Sequence, residues 1–182
     1  MAGKCFQLIS KNGGRQSRCR VVRQHLRHSH ELLWTLNLQV KMILDMVFSI
    51  SAGRLFVRTN RGDSFSISAT SGRGPCMNNA TCQSIPSEGP LPMGFYTASS
   101  KNLTENSAWT LAHGDWGDWR VALKPDPSTH THGRSGFYIH GGFKGGSAGC
   151  IDIGGGIFGD EQTDRLKFTI LASEFVSVEV RQ

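Results

Sequence analysis

The 182-residue sequence predicts a mainly β domain preceded by a basic arm. Apolar residues alternate with polar ones in short runs, glycine-containing turn signals separate the runs, and no convincing long helical pattern follows the arm. Composition sets the outer limits. Apolar residues make up 38% and charged residues 19%, a globular balance and not a disordered one. The longest apolar-looking stretch, residues 32–50, carries Asn37, Gln39, Lys41 and Asp45, so it is no membrane-spanning helix.

The arm covers residues 1–41. It holds eight Lys or Arg and a single acid, Glu31, for a net charge of +7, whereas residues 42–182 hold 12 bases and 13 acids, a net of −1. The pI near 9.3 therefore belongs to the arm. A long basic run, an apolar stretch broken by polar residues and no Ala-x-Ala-like site do not read as a cleaved secretory leader. The arm reads either as a solvated extension or as a start assigned too far upstream, with Met42 and Met46 as later starts. Without interleaved aromatic residues it offers nucleic acid only salt-sensitive, unspecific phosphate contacts. Cys5 and Cys19 lie in this arm and receive no role.

Alternation begins with Trp34, Leu36, Leu38, Val40 and Met42 on one parity and continues through Phe48 and Ile50 to a turn at Ala52-Gly53. Leu55 and Val57 form a second run, Asn60-Arg61-Gly62-Asp63 a second turn, and Phe65 and Ile67 a third run: a β-meander. The Arg-Gly-Asp tripeptide is thus a hairpin turn and not an adhesion signal. Residues 71–94, rich in Gly, Pro, Ser and Asn, read as loop. Within that loop Cys76 and Cys82 are candidates for a short disulfide in an oxidising compartment. Gly89-Pro90-Leu91-Pro92-Met93-Gly94-Phe95-Tyr96 leads from a stiff turn into a strand, and Leu166 through Val180 reads as one or two closing strands.

Half of the 22 glycines, 11, fall between Gly133 and Gly159. Glycine loses more backbone entropy on folding than any other residue, so this density marks positive φ or close backbone approach. Embedded in it are His140, at the end of the strand-like Phe137-Tyr138-Ile139, and Cys150, after Ser147-Ala148-Gly149. An imidazole beside a thiol takes or shares its proton and makes a nucleophile. A return loop of nine residues brings the two within reach, and small residues before Cys150 let backbone N–H groups face a developing oxyanion. Either residue alone would read as an ordinary core residue; the pair in this spacing reads as a site.

Ser147-x-Gly149-Cys150 behind His140, with Gly-Arg134-x-Gly-x-x-Ile-His140 and the Gly-Pro-x-Pro-x-Gly-x-Tyr96 segment, resembles the L,D-transpeptidase (YkuD-like) family. The resemblance is strongest to the subgroup delivered as antibacterial effectors by type VI secretion, and it covers roughly residues 45–180. It implies a β-sandwich domain over 42–182 with a Gly-rich catalytic loop and acyl transfer on peptidoglycan tetrapeptide stems. Cys150 would be the nucleophile, His140 its acid and base, Gly149 the oxyanion donor with Cys150, and Ser147 would orient His140 or the loop. Water as acceptor gives L,D-carboxypeptidase activity, a free D-amino acid gives exchange, and a second stem gives a crosslink. No metal and no cofactor is implied. A cognate immunity protein and a secretion apparatus are the implied partners, with action in a target-cell periplasm.

The sequence departs from the housekeeping enzymes of that family. Ala148 stands where many carry a second histidine, and Asp152 where they carry Arg or Asn. Asp152, Arg134, Tyr138, Trp116 and Trp119 are the substrate-binding candidates, the two tryptophans equally readable as gap fillers. His130-x-His132 with His140 and Cys150 is a rival zinc set, disfavoured by Pro125 and Pro127 and by the lack of any accompanying metal motif. Residues 142–149 lack the Gly-Lys-Ser/Thr end of a phosphate loop. The reading from a different class is a non-enzymatic wall-binding or nucleic-acid-binding protein that uses its arm.

Overall fold

A computed structural model describes residues 41–107, 115–143 and 145–182. Residues 1–40 of the basic arm, with Cys5, Cys19 and the alternation over 34–40, lie outside the described residues. Lys41 to Gln182 make one compact unit.

The unit is mainly β. Its strands are β1 (Ile43–Ser49), β2 (Arg54–Thr59), β3 (Ser64–Ser68), β4 (Thr70–Gly72), β5 (Gly94–Ala98), β6 (Leu103–Glu105), β7 (Trp119–Pro125), β8 (Phe137–Gly142), β9 (Ser147–Gly155) and β10 (Phe175–Arg181). They run in the order β3-β2-β1-β10-β5-β7-β8-β9-β4, with β6 pairing off this path to β7. The predicted meander is β1-β2-β3, and Asn60 to Asp63 form its second turn, with Thr59 N–H donating to the Asp63 carbonyl at 2.9 Å. The C-terminal strand β10 lies inside the sheet, parallel to β1 and antiparallel to β5.

Parity sorts the side chains. Leu44, Met46 and Phe48 of β1, Val176, Val178 and Val180 of β10, Trp119, Val121 and Leu123 of β7, Phe137 and Ile139 of β8, and Ile151 and Ile153 of β9 join one buried cluster. Both halves of the sheet thus turn one face to a shared core, which is how alternation becomes burial. The opposite face of β7, β8 and β9 presents Arg120 and Ala122, Tyr138 and His140, and Cys150 and Asp152. The site is built there.

One element differs from the sequence expectation. Residues 161–172, Glu161–Ala172, form helix α1 where the alternation of Leu166, Phe168 and Ile170 predicted strand. Leu166 and Ile170 are also four apart, and with Thr163 they bury one helical face while Phe168 points outward. A capping box decides the matter: the Asp160 carboxylate accepts from Thr163 N–H at 2.9 Å, and the Thr163 hydroxyl accepts from Asp160 N–H at 2.7 Å. Only β10 closes the fold as strand.

The loop predicted over 71–94 contains β4's end and two 3-10 turns, Gly74–Cys76 and Ala80–Cys82. Cys76 and Cys82 are joined as a disulfide with Cα atoms 5.5 Å apart.

Candidate active site

Strands β8 and β9 run parallel, with Ile139 opposite Ile151 and His140 opposite Asp152. Cys150 therefore stands level with Tyr138 and one pleat from His140, on the same face. On the far side of β8, β7 runs antiparallel and sets Arg120 opposite His140 and Ala122 opposite Tyr138. Against β4 the register of β9 shifts, with Thr70 opposite Asp152 but Gly72 opposite Ser147. This bulge takes residues 148–151 out of regular register with β4.

Three glycines around the site have local reasons. Gly149 has φ +95°, and a Cβ there would lie 2.4 Å from Arg134 Nη2. Behind His140, the segment Asp115 to Gly117 lies directly on the Gly141-Gly142 backbone: a Cβ on Gly142 would meet the Asp115 carboxylate at 2.9 Å, and one on Gly117 would meet Gly141 Cα at 2.7 Å. Phe143 N–H donates to that carboxylate. Asn106 fastens the same segment by donating to the Trp116 and Gly117 carbonyls at 3.1 and 2.8 Å.

This packing lays Trp116 against His140, ring centroids 4.9 Å apart, and edge-on to Tyr138 at 5.8 Å. His140 is buried, and its Nδ1–H donates to the Gly141 carbonyl at 2.5 Å, which leaves Nε2 for proton exchange. The Cys150 thiol donates to the Gly136 carbonyl at 3.8 Å and not to His140. Burial, foremost, pushes that thiol up to about 11; the Tyr138 N–H and the Arg134 charge pull the other way, and Asp152 adds to the rise. Asp152 is itself buried and accepts from Gly154 N–H at 2.9 Å. Burial holds its carboxyl above the usual range against the pull of that N–H and of His140, and Asp115 adds to the rise.

The remaining candidates separate. Ser147 donates its hydroxyl to the Cys150 carbonyl at 2.8 Å, so it fastens the loop and not the imidazole. Arg134 is spent on main chain: Nη1 donates to the Gln83 and Pro90 carbonyls and Nη2 to Gly89, all within 2.7–2.8 Å. It ties the disulfide-bearing loop to the underside of Gly149. Tyr138 and Trp116 line the open face, whereas Trp119 is fully buried in the core on the other face of β7 and is closed to substrate. His130 and His132 meet edge to face, centroids 4.3 Å apart, and no group of three potential metal ligands gathers among the described residues.

Arg120 is the site residue the sequence reading passed over. Its guanidinium lies over Trp116 at 5.3 Å and Tyr138 at 5.9 Å from the ring centroids. The signal was available in the alternation Trp119-Arg120-Val121-Ala122-Leu123, which turns Arg120 away from the core.

Cys150 and His140 stand on one face of paired strands, beside a bulge, in a mainly β sheet of L,D-transpeptidase-like fold. Residues 66–171, more than half of the sequence, match the Tlde1 domain family, and the chain belongs to it. In overall fold it is similar to the helical cell shape determining protein Pgp2 from Campylobacter jejuni, at TM-score 0.50 and 14% identity over 85% of this chain and 56% of that one. Mycobacterium tuberculosis L,D-transpeptidase 1 aligns at 20% identity and TM-score 0.44 over 76% of this chain and 61% of that one. An L,D-transpeptidase from Mycobacterium smegmatis aligns at 18% identity and TM-score 0.39, covering 76% and 58%. The chain thus spans about three fifths of the length of these solved relatives. No curated protein matches its sequence. No helix among the described residues is long and apolar enough to cross a membrane.

Proposed function

We propose that the chain is a cysteine-dependent acyl transferase that acts on peptidoglycan tetrapeptide stems. The reading rests on one observation above the others: Cys150 and His140 share a face at adjacent positions of paired strands. The resting thiol is protonated and turned to Gly136. Rotation about its Cα–Cβ bond carries Sγ toward His140 Nε2, which takes the proton as Sγ attacks the carbonyl between the L-centre of diaminopimelate and the terminal D-alanine. Backbone N–H groups of Gly149 and Cys150 hold the oxyanion. Collapse breaks the C–N bond, His140 returns its proton to the departing amine, and D-alanine leaves a thioester on Cys150. Water then gives a tripeptide stem; the amine of a free D-amino acid gives exchange. Ser147 keeps the loop in shape through the Cys150 carbonyl.

In this reading the protein is an antibacterial effector that is secreted and acts in the periplasm of a target cell, with an immunity protein protecting the producer. Family membership supports that role.

Mass spectrometry of muropeptides from purified sacculi tests the chemistry. The wild type converts tetrapeptide stems to tripeptides, or exchanges their D-alanine, and Cys150→Ala does neither. An unchanged profile across pH 5–8 with folded, reduced protein removes the acyl-transfer reading. Export to the periplasm harms the cell and cytoplasmic expression does not; equal harm from both counts against a wall target.

A further inference from the structure

The proposed reaction leaves open how the stem lies across the sheet, and the face carrying Cys150 offers an answer. Along β9, β8 and β7, which are consecutive in the sheet, three functional groups succeed one another: the Cys150 thiol, the His140 imidazole and the Arg120 guanidinium. Adjacent strands lie about 4.8 Å apart. The scissile part of a tetrapeptide stem carries three groups in the matching order: the carbonyl carbon to be attacked, the leaving nitrogen, and the terminal carboxylate, whose carbon is three bonds from the first.

We infer that Arg120 is a specificity-determining residue that binds the terminal carboxylate of the leaving D-alanine, fixing the stem with its C-terminus over β7 and its acyl side toward β9. This rests on the acyl-transfer reading and deepens it.

The chemistry of the guanidinium supports the assignment. Trp116 and Tyr138 hold its position through their ring faces, and those contacts leave its N–H edge unspent. Among the described residues no carboxylate pairs with Arg120; the ion pairs are Lys41–Glu174 and Lys167–Glu105. A half-buried guanidinium pinned by aromatic rings is a preorganised fork for a carboxylate. Two other arginines act on Cys150: Arg134 is committed to three backbone carbonyls, and Arg73 follows β4, on the side of β9 away from β7. Asp152, an acid, offers an anion nothing attractive.

The same group serves the second half-reaction. A free D-amino acid that resolves the thioester carries its own carboxylate next to the attacking amine and enters by the path D-alanine left. Water has no carboxylate. Arg120 therefore raises exchange over hydrolysis.

The test compares the full-length wild type with Arg120→Gln and Arg120→Lys, all with matched thermal midpoints, on a soluble tetrapeptide stem ending in D-alanine and on its C-terminal amide. The wild type prefers the acid by about tenfold or more in kcat/KM; Arg120→Gln abolishes that preference through the acid alone, and Arg120→Lys keeps part of it. Arg120→Gln also shifts products from D-amino acid exchange toward hydrolysis. Equal use of acid and amide by the wild type, or an unchanged preference in Arg120→Gln, overturns the assignment. A second arm does not depend on the reaction: the rates at which iodoacetate and iodoacetamide alkylate Cys150, taken as a ratio so that the thiolate fraction cancels. That ratio falls about threefold or more in Arg120→Gln if Arg120 draws anions to the site, and an unchanged ratio overturns the inference. Absence of turnover on either peptide removes the acyl-transfer reading, and the alkylation ratio then decides on Arg120 alone.

Discussion

At Cys150 two demands compete. The thiol must be buried enough for the oxyanion to be stabilised by fixed dipoles, yet burial pushes its ionisation up to about 11, away from neutral pH. The Gly136 carbonyl accepts from the thiol, and in the proposed reaction His140 takes that proton. Gly149 is where this arrangement is most easily broken. Its φ of +95° and the 2.4 Å approach to Arg134 leave no room for a methyl group. Gly149→Ala is expected to lower stability by about 2 kcal/mol and activity by about a hundredfold, checked by urea titration and stem-hydrolysis rates. In the sequence Gly149 reads as an oxyanion position, because small residues before a cysteine have that use. Its second reason, the Arg134 side chain beneath it, is a contact between residues 15 apart and depends on where the 83–90 loop lies. Arg120 was likewise hidden, since a basic residue between apolar ones first reads as an exposed strand position.

Among the elements, the loop of residues 73–90 does more than connect β4 to β5. Its disulfide closes a small ring, and Arg134 reaches into the same loop to bind the Gln83, Gly89 and Pro90 carbonyls. The loop is thereby coupled to the floor of the catalytic bulge. Replacing Cys76 and Cys82 together by Ser is expected to cost about 2 kcal/mol, seen as a fall in thermal midpoint of about 4–8 °C. Because Arg134 transmits the change, stem hydrolysis by the double variant should fall further than the loss of folded protein explains; unchanged activity per folded molecule would remove the coupling. Cysteine spacing made the disulfide legible as a candidate. Helix α1 was not legible, because Leu166, Phe168 and Ile170 satisfy period 2 and Leu166 and Ile170 satisfy period 3.6. The Asp160–Thr163 capping box, present in the sequence, was the signal that separates the two.

For the whole molecule, the meander, the core parity and the mainly β class were readable from alternation, but the order β9-β8-β7 that aligns the site was not, because parallel pairing of β8 with β9 leaves no periodic mark. The same burial that tunes the site also sets the protein's response to alkali. A thiol whose folded value is about 11 against an ordinary value near 9 holds its proton more tightly when folded. Its contribution is fully present below about pH 9 and is lost as pH rises through 11, a total of about 2–3 kcal/mol. Thermal midpoints measured from pH 8 to 11 should therefore fall more steeply for the wild type than for Cys150→Ala. Parallel slopes would mean the thiol ionises as freely in the fold as out of it. One further property follows from how β8 reaches β9. Parallel neighbours are ordinarily joined by a dozen or more residues, often through a helix, yet here residues 143–146 alone separate Gly142 from Ser147. Four residues reach a limited distance whatever their conformation, so the connection tolerates lengthening better than shortening. Removing one of these residues should pull Cys150 out of step with His140 and abolish stem hydrolysis, while adding one glycine should leave most of it, an asymmetry that a pair of otherwise equal length variants would reveal.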